Sequence, residues 1–180
     1  MGQYFEAIIL KPRVENQPDE VLKSYCPHDF ENGAKLMESS WIGNNFDNFV
    51  ETQLLMNPQR VVWGGDYADE EPDGHTLHDI AYNGFRTIEG VEYTDGMLDD
   101  CYVVNHDTKQ FYKRPEYNKC EWTVNPLPIL TCEGNGRGGG DYFSEECQDL
   151  VGVWARDTIE LTPNHPTEDY TEIFPHFVDD

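Results

Sequence analysis

Nine Phe, ten Tyr and four Trp decide what this chain folds into. Large ring faces can close a core even where aliphatic residues are sparse. Disordered acidic segments are poor in aromatics, whereas here aromatic residues run through the acidic stretches as well as between them. An ordered globule is therefore expected, and 180 residues suit one domain. Residues 4–10 read as a buried strand and 60–67 as another, running into an acidic loop at 69–74. Residues 44–56 carry the best helix. Asn44 or Asn45 caps it, Phe46, Phe49, Val50 and Leu54 recur at helical spacing, and Pro58 ends it. A second helix spans 76–83, capped by Thr76 and stopped by Gly84, and a short one, weakened by Gly33, is expected within 29–39.

Residues 101–106 and 110–114 form the clearest hairpin, around the turn Asp107-Thr108-Lys109. Residues 127–133 read as a strand entering a glycine-rich loop, and 150–162 as one long strand or two. The sum is a single sheet-dominated α+β domain over residues 1–162, with two or three short helices. Residues 163–180 form an acidic, proline-broken C-terminal tail with aromatic anchors at Tyr170, Phe174 and Phe177.

Charge bounds the partners. The chain has 35 acids against 12 bases, a formal net of −23. Residues 66–100 hold eleven acids and one base, Arg86, while 141–180 hold eleven acids and one base, Arg156. The segment between them is nearly neutral. Such a surface repels nucleic acid and anionic membrane and attracts basic surfaces. A high-salt environment also raises acidity, but the five Ala, twelve Asn and five Cys do not fit that composition. The cysteines are odd in number and form no CxxC, and the opening MGQYFEAIIL lacks the basic and apolar regions of a secretory signal. Reduced thiols in a cytoplasmic protein are expected. No stretch approaches the roughly 20 apolar residues of a membrane span.

Several constellations could carry chemistry. The strongest is 133–142, EGNGRGGGDY. Successive glycines after a strand can aim several backbone N–H groups at one anion, and Arg137 could add a fork to a phosphate. The ligand-binding residues would be Gly136, Arg137, Gly138, Gly139 and Asp141. Lys-Ser/Thr is missing, so this is no Walker loop, and a tight glycine turn explains the same residues. Asp66, Asp69, Glu70, Glu71 and Asp73 are dense enough for calcium, but their spacing fits no EF-hand, and a solvated acidic face is the better reading. His75 and His78 share a helical face but lack further ligands. Cys26 and His28 stand too close in sequence for a nucleophile–base pair. Lys109, Lys113, Arg114 and Lys119 make one basic island, best explained by pairing with the acidic blocks. Trp63 and Trp154 read as core anchors. No catalytic residue, metal or cofactor is expected.

Several segments together, in order, resemble an uncharacterised family of bacterial and bacteriophage proteins. These are MGQY at 1–4, PHDF at 27–30 with GAKLME at 33–38, GDYAD at 65–69, VNH at 104–106, PLPILT at 126–131 leading into the glycine loop, and VGVWARD at 151–157. The resemblance brings no activity with it. It implies a phage or mobile-element origin and hence, for a phage protein, the host cytoplasm.

The expectation is a non-enzymatic accessory protein that binds and inhibits a host defence protein with a basic, nucleic-acid-binding surface, as a DNA mimic. It would bind no nucleic acid or membrane itself. The partner-binding faces would comprise Asp66, Asp69, Glu70, Glu71 and Asp73 with Glu145, Glu146 and Asp149. The alternative is a nucleotide- or phosphate-binding protein or enzyme using the glycine loop and Arg137.

Overall fold

Strand β1 (Phe5–Leu10) is buried along its whole length, because both faces of its FEAIIL run are covered. It pairs antiparallel with β2 (Val21–Tyr25) on one side and β3 (Gln59–Gly65) on the other. The computed structural model describes residues 2–134, 141–144 and 146–178. Among these, β4 (Tyr102–Asn105) and β5 (Gln110–Lys113) make the expected hairpin. The remaining strands are β6 (Cys132–Glu133), β7 (Thr158–Thr162) and β8 (Thr171–Glu172). They form one mixed sheet in the order β2-β1-β3-β7-β4-β5-β8, with β6 alongside β3. The β3–β6 and β5–β8 pairs are parallel and the rest antiparallel. Four short helices lie among the described residues: α1 (Leu36–Ser39), α2 (Asn45–Gln53), α3 (Leu77–Gly84) and α4 (Pro126–Leu130). The domain is α+β and dominated by its sheet.

The period-2 pleat divides the core. Phe5, Ala7 and Ile9 face the main cluster, with Phe46, Val50, Leu54, Trp63, Trp154 and Leu161. Ile8 and Leu10 face a smaller cluster with Val21, Val62, Leu77 and Ala81 of α3. Gly64 makes room for Ile8: a Cβ there would lie 2.6 Å from the Ile8 side chain. Each fully buried Leu, Ile or Phe contributes about 1.5–3 kcal/mol, so the aromatic-rich main cluster carries most of the burial energy. Trp63 and Trp154 are anchors here, as read from the sequence.

Helix α2 starts where expected, with Asn44 Oδ1 accepting the N–H groups of Phe46 and Asp47 at 2.8 and 3.3 Å. It ends earlier than Pro58 suggests, because Met56 turns to φ +52 and gives its N–H to Leu161. The segment 29–39 is divided. A 3-10 turn at Pro27–Phe30 stops at Glu31, φ +58, before α1 begins. Two expected strands are corrected. Residues 126–130 are helical: the Asn125 side chain accepts from Leu127 N, and Pro126 takes the first helical position, where its missing N–H costs nothing. Within 150–162, positive φ at Gly152 and Arg156 breaks the chain into turns, so the strand begins only at Thr158. The tail returns to the sheet through β8, and Phe177 packs edge-on against Tyr142 at 5.2 Å, whereas Phe174 is exposed.

Candidate functional site

The acidic loop after β3 is partly built into the fold. Asp66 Oδ1 accepts the Tyr4 N–H at 3.0 Å, and Asp73 Oδ1 accepts that of His75. Glu71 turns inward to Arg156 at 2.5 Å. Asp69, Glu70 and Asp73 are exposed, as are Glu146 and Asp149 of the second acidic face. Glu145 lies outside the described residues.

Arg156 gathers distant acids. Its guanidinium reaches Glu133 at 2.6 and 2.9 Å, Glu71 at 2.5 Å and Asp19 at 3.2 Å. Arg60 joins through Asp19 at 2.8 Å. Burial alone would raise the Asp19 carboxyl, but the hydrogen bonds from Arg60 and Arg156 outweigh it and hold the group below its ordinary value. Arg156, the lone base of the C-terminal acidic block, is thus fully engaged by its own chain.

The glycine loop is described only at its ends. Gln3 Nε2 donates to Gly134 O and, at 3.1 Å, to Asp141 Oδ2. Gly134 needs its glycine, with φ +91 and a Cβ position that would meet Gln3 and the Ala68 backbone. Gly136, Arg137, Gly138 and Gly139 lie outside the described residues.

A polar network missed by the sequence reading lies under α2. Asp47 and Glu51, one helical turn apart, are both fully buried. Arg114 Nε donates to Glu51 at 2.5 Å and its Nη2 to Asn48 Oδ1 at 3.1 Å. Asn125 Nδ2 bridges Asp47 and Glu51. Burial, then the Glu51 charge, pushes the Asp47 carboxyl well above the ordinary value, which favours its neutral form. Burial opposes the Arg114 charge, but Glu51 more than restores it. The chemistry therefore reduces to one neutral acid and one salt bridge. Arg114 belongs to the basic island, and its partner is a core acid, not a surface block. Lys109 and Lys113 do pair at the surface, with Asp169 and Asp100.

Beside this network a cleft of about 800 Å³ opens between α2, residues 92–99 and the loop after β5. Arg114 and Asn48 line it together with Tyr93, Tyr117 and the carboxylates Glu92, Asp95 and Asp99. A cavity with a few convergent polar groups is the default candidate for binding. A signal for the network was present: Asp47 and Glu51 share a helical face with Val50 and Leu54 close by, which places two acids against the core.

On the sheet's other face, Glu6 is buried next to β2, and desolvation raises its carboxyl above the ordinary value. Burial likewise raises the Cys26 thiol, which removes the thiolate a nucleophile would need. His75 is exposed and His78 stacks on Tyr82. Among the described residues no group of three His, Cys, Asp or Glu is placed to hold a metal ion. All five cysteines are free thiols, and among the described residues no helix is long and apolar enough to cross a membrane. Compared with protein families, curated proteins and solved structures, the chain matches none.

Proposed function

We propose that this protein acts by binding, without chemistry of its own, the basic nucleic-acid-binding surface of another protein, in the manner of a DNA mimic. One observation carries the reading: Arg60, Arg86, Arg114 and Arg156 are each held by carboxylates of the same chain. Their charge is spent inside the molecule. Exposed carboxylates such as Glu70, Asp73, Asp95, Glu146 and Asp149 set the outer field. A field of that sign attracts grooves lined with Lys and Arg, which otherwise hold phosphates. A host defence nuclease is one protein of this class, and a phage or mobile-element role would suit such an inhibitor.

The test is displacement of a labelled DNA duplex from purified nucleic-acid-binding proteins of a bacterial host. Displacement should be strong at about 50 mM salt and fall steeply toward about 200 mM, since the contacts are ionic. Neutralising Asp69, Glu70 and Asp73, or Glu146 and Asp149, to Asn or Gln should weaken it while leaving the fold intact. Displacement that ignores salt, or none at all, would overturn the proposal.

A further inference from the structure

The cleft beside α2 has a floor, walls and a mouth of different chemistry. At the floor, Asn48 and Arg114 are 5% and 6% exposed. Asn48 spends its Oδ1 on Arg114, and Arg114 spends Nε and Nη2 on Glu51 and Asn48. Asn48 Nδ2 and Arg114 Nη1 donate to no described residue, yet neither is among the side-chain atoms sealed from solvent without a partner. Two unspent donors therefore sit on nine-tenths-buried side chains that line the cleft. Glu51 offsets the charge of Arg114 at this floor.

The walls are aromatic. Tyr93, Tyr117 and Phe49 line them. Gly43, at φ +91, seats the Tyr117 ring: a Cβ there would fall 2.3 Å from Cε2. The mouth carries Glu92, Asp95 and Asp99, all exposed and none in an ion pair among the described residues, against the single cation Lys119. An occupant must offer oxygen acceptors to the floor, alkyl stems to tyrosine faces and positive charge to the mouth. A bare polyamine lacks the acceptors, and a phosphate or nucleotide meets the wrong charge at the mouth. A polypeptide segment rich in Arg or Lys has all three: main-chain carbonyls, methylene stems that lie on aromatic rings, and cationic heads.

We infer that this cleft is the site where the protein grips its partner, by taking in a basic polypeptide segment. Main-chain carbonyls accept from Asn48 and Arg114, and the segment's guanidinium or ammonium groups lie among Glu92, Asp95 and Asp99. The inference rests on the proposed function and moves its centre from the loop at 66–73 to the face formed by 92–99 and Tyr117.

The experiment uses the full chain and a labelled peptide of alternating Gly and Arg, blocked at both ends, followed by fluorescence anisotropy. Asp95→Asn with Asp99→Asn should weaken the peptide about tenfold, the scale of two screened charge contacts. Tyr117→Ala should weaken it as well, although it changes no charge; a general electrostatic field would not respond to that variant. Spermine should compete poorly at equal charge. If spermine binds as well as the peptide, or if Asp95, Asp99 and Tyr117 can be changed without loss while Asp69→Asn with Glu70→Gln is damaging, the cleft is not the site. The DNA-displacement assay separates the two ideas. Displacement retained by the Asp95/Asp99 variant sinks the cleft and leaves the mimic, whereas absence of displacement by the parent sinks the mimic.

Discussion

Arg114→Met is the substitution whose consequence the structure specifies most closely. Arg114 and Glu51 are both buried and meet at 2.5 Å. Removing the arginine leaves the Glu51 carboxylate sealed in the core with Asn125 as its remaining donor among the described residues. An uncompensated charge at such a site costs about 3–5 kcal/mol. Domains of this kind hold about 5–15 kcal/mol in total, so the single change should remove roughly a fifth or more of the stability. For a chain of this length that lowers the melting temperature by roughly 6–20 °C. Adding Glu51→Gln to Arg114→Met removes the stranded charge, and replacing both members of a buried pair is often near neutral. The double variant should therefore recover most of the loss. Arg86→Met, at the partly exposed pair with Asp29, should cost less than about 1 kcal/mol. Urea unfolding followed by tryptophan fluorescence measures all three. An Arg114→Met cost below about 1 kcal/mol, or a double variant no more stable than the single one, would refute the account of this network.

Asp47→Asn tests the protonated acid. Its native carboxyl titrates well above the unfolded value of about 3.9, so between those two values the folded state holds a proton that the unfolded chain gives up. Stability falls as pH rises through that window, by up to about 1.4 kcal/mol per pH unit. The Asn variant should lose this slope and be at least as stable as the parent at neutral pH; parallel stability–pH curves would contradict the assignment. Gly152→Ala should cost clearly more than Gly74→Ala. Both residues have positive φ, but a Cβ at 152 would lie 2.6 Å from Cys132 O, whereas at 74 it meets nothing. The second change should cost only the left-handed strain of about 1–2 kcal/mol, and equal urea midpoints would show that the Cys132 contact does not matter.

The parts of the fold legible in the sequence are those with a local cause. Asn44 and Thr76 cap their helices as side-chain acceptors, and the 102–113 hairpin follows from apolar, β-branched and aromatic runs around a compact turn. Residues 126–130 were misread because PLPIL is short and wholly apolar, which periodicity cannot assign; Asn125 followed by Pro126 held the better signal. The break within 150–157 depends on Arg156 at φ +69, where its guanidinium meets acids from residues 19, 71 and 133. Nothing local announces such a convergence. The cleft was illegible for the same reason. Its floor joins α2 to a residue 66 positions later in the chain, and its mouth belongs to a loop that reads only as acidic.

The position of β7 has a consequence for synthesis on the ribosome. The β2-β1-β3 ladder uses residues that emerge early, and the β4–β5 hairpin closes locally. The two halves meet through β7, which pairs with β3 at Gln59 and Arg60 and with all four residues of β4. Until residues 158–162 leave the exit tunnel, β4 has no partner on that side and the end of β3 lies open. Joining pieces so far apart in sequence is intrinsically slow, and unpaired strand edges invite pairing with other nascent chains. The dense carboxylates already exposed by residues 66–100 repel such neighbours. The same negative charge would keep the unfinished halves of the sheet apart from other chains until the closing strand arrives.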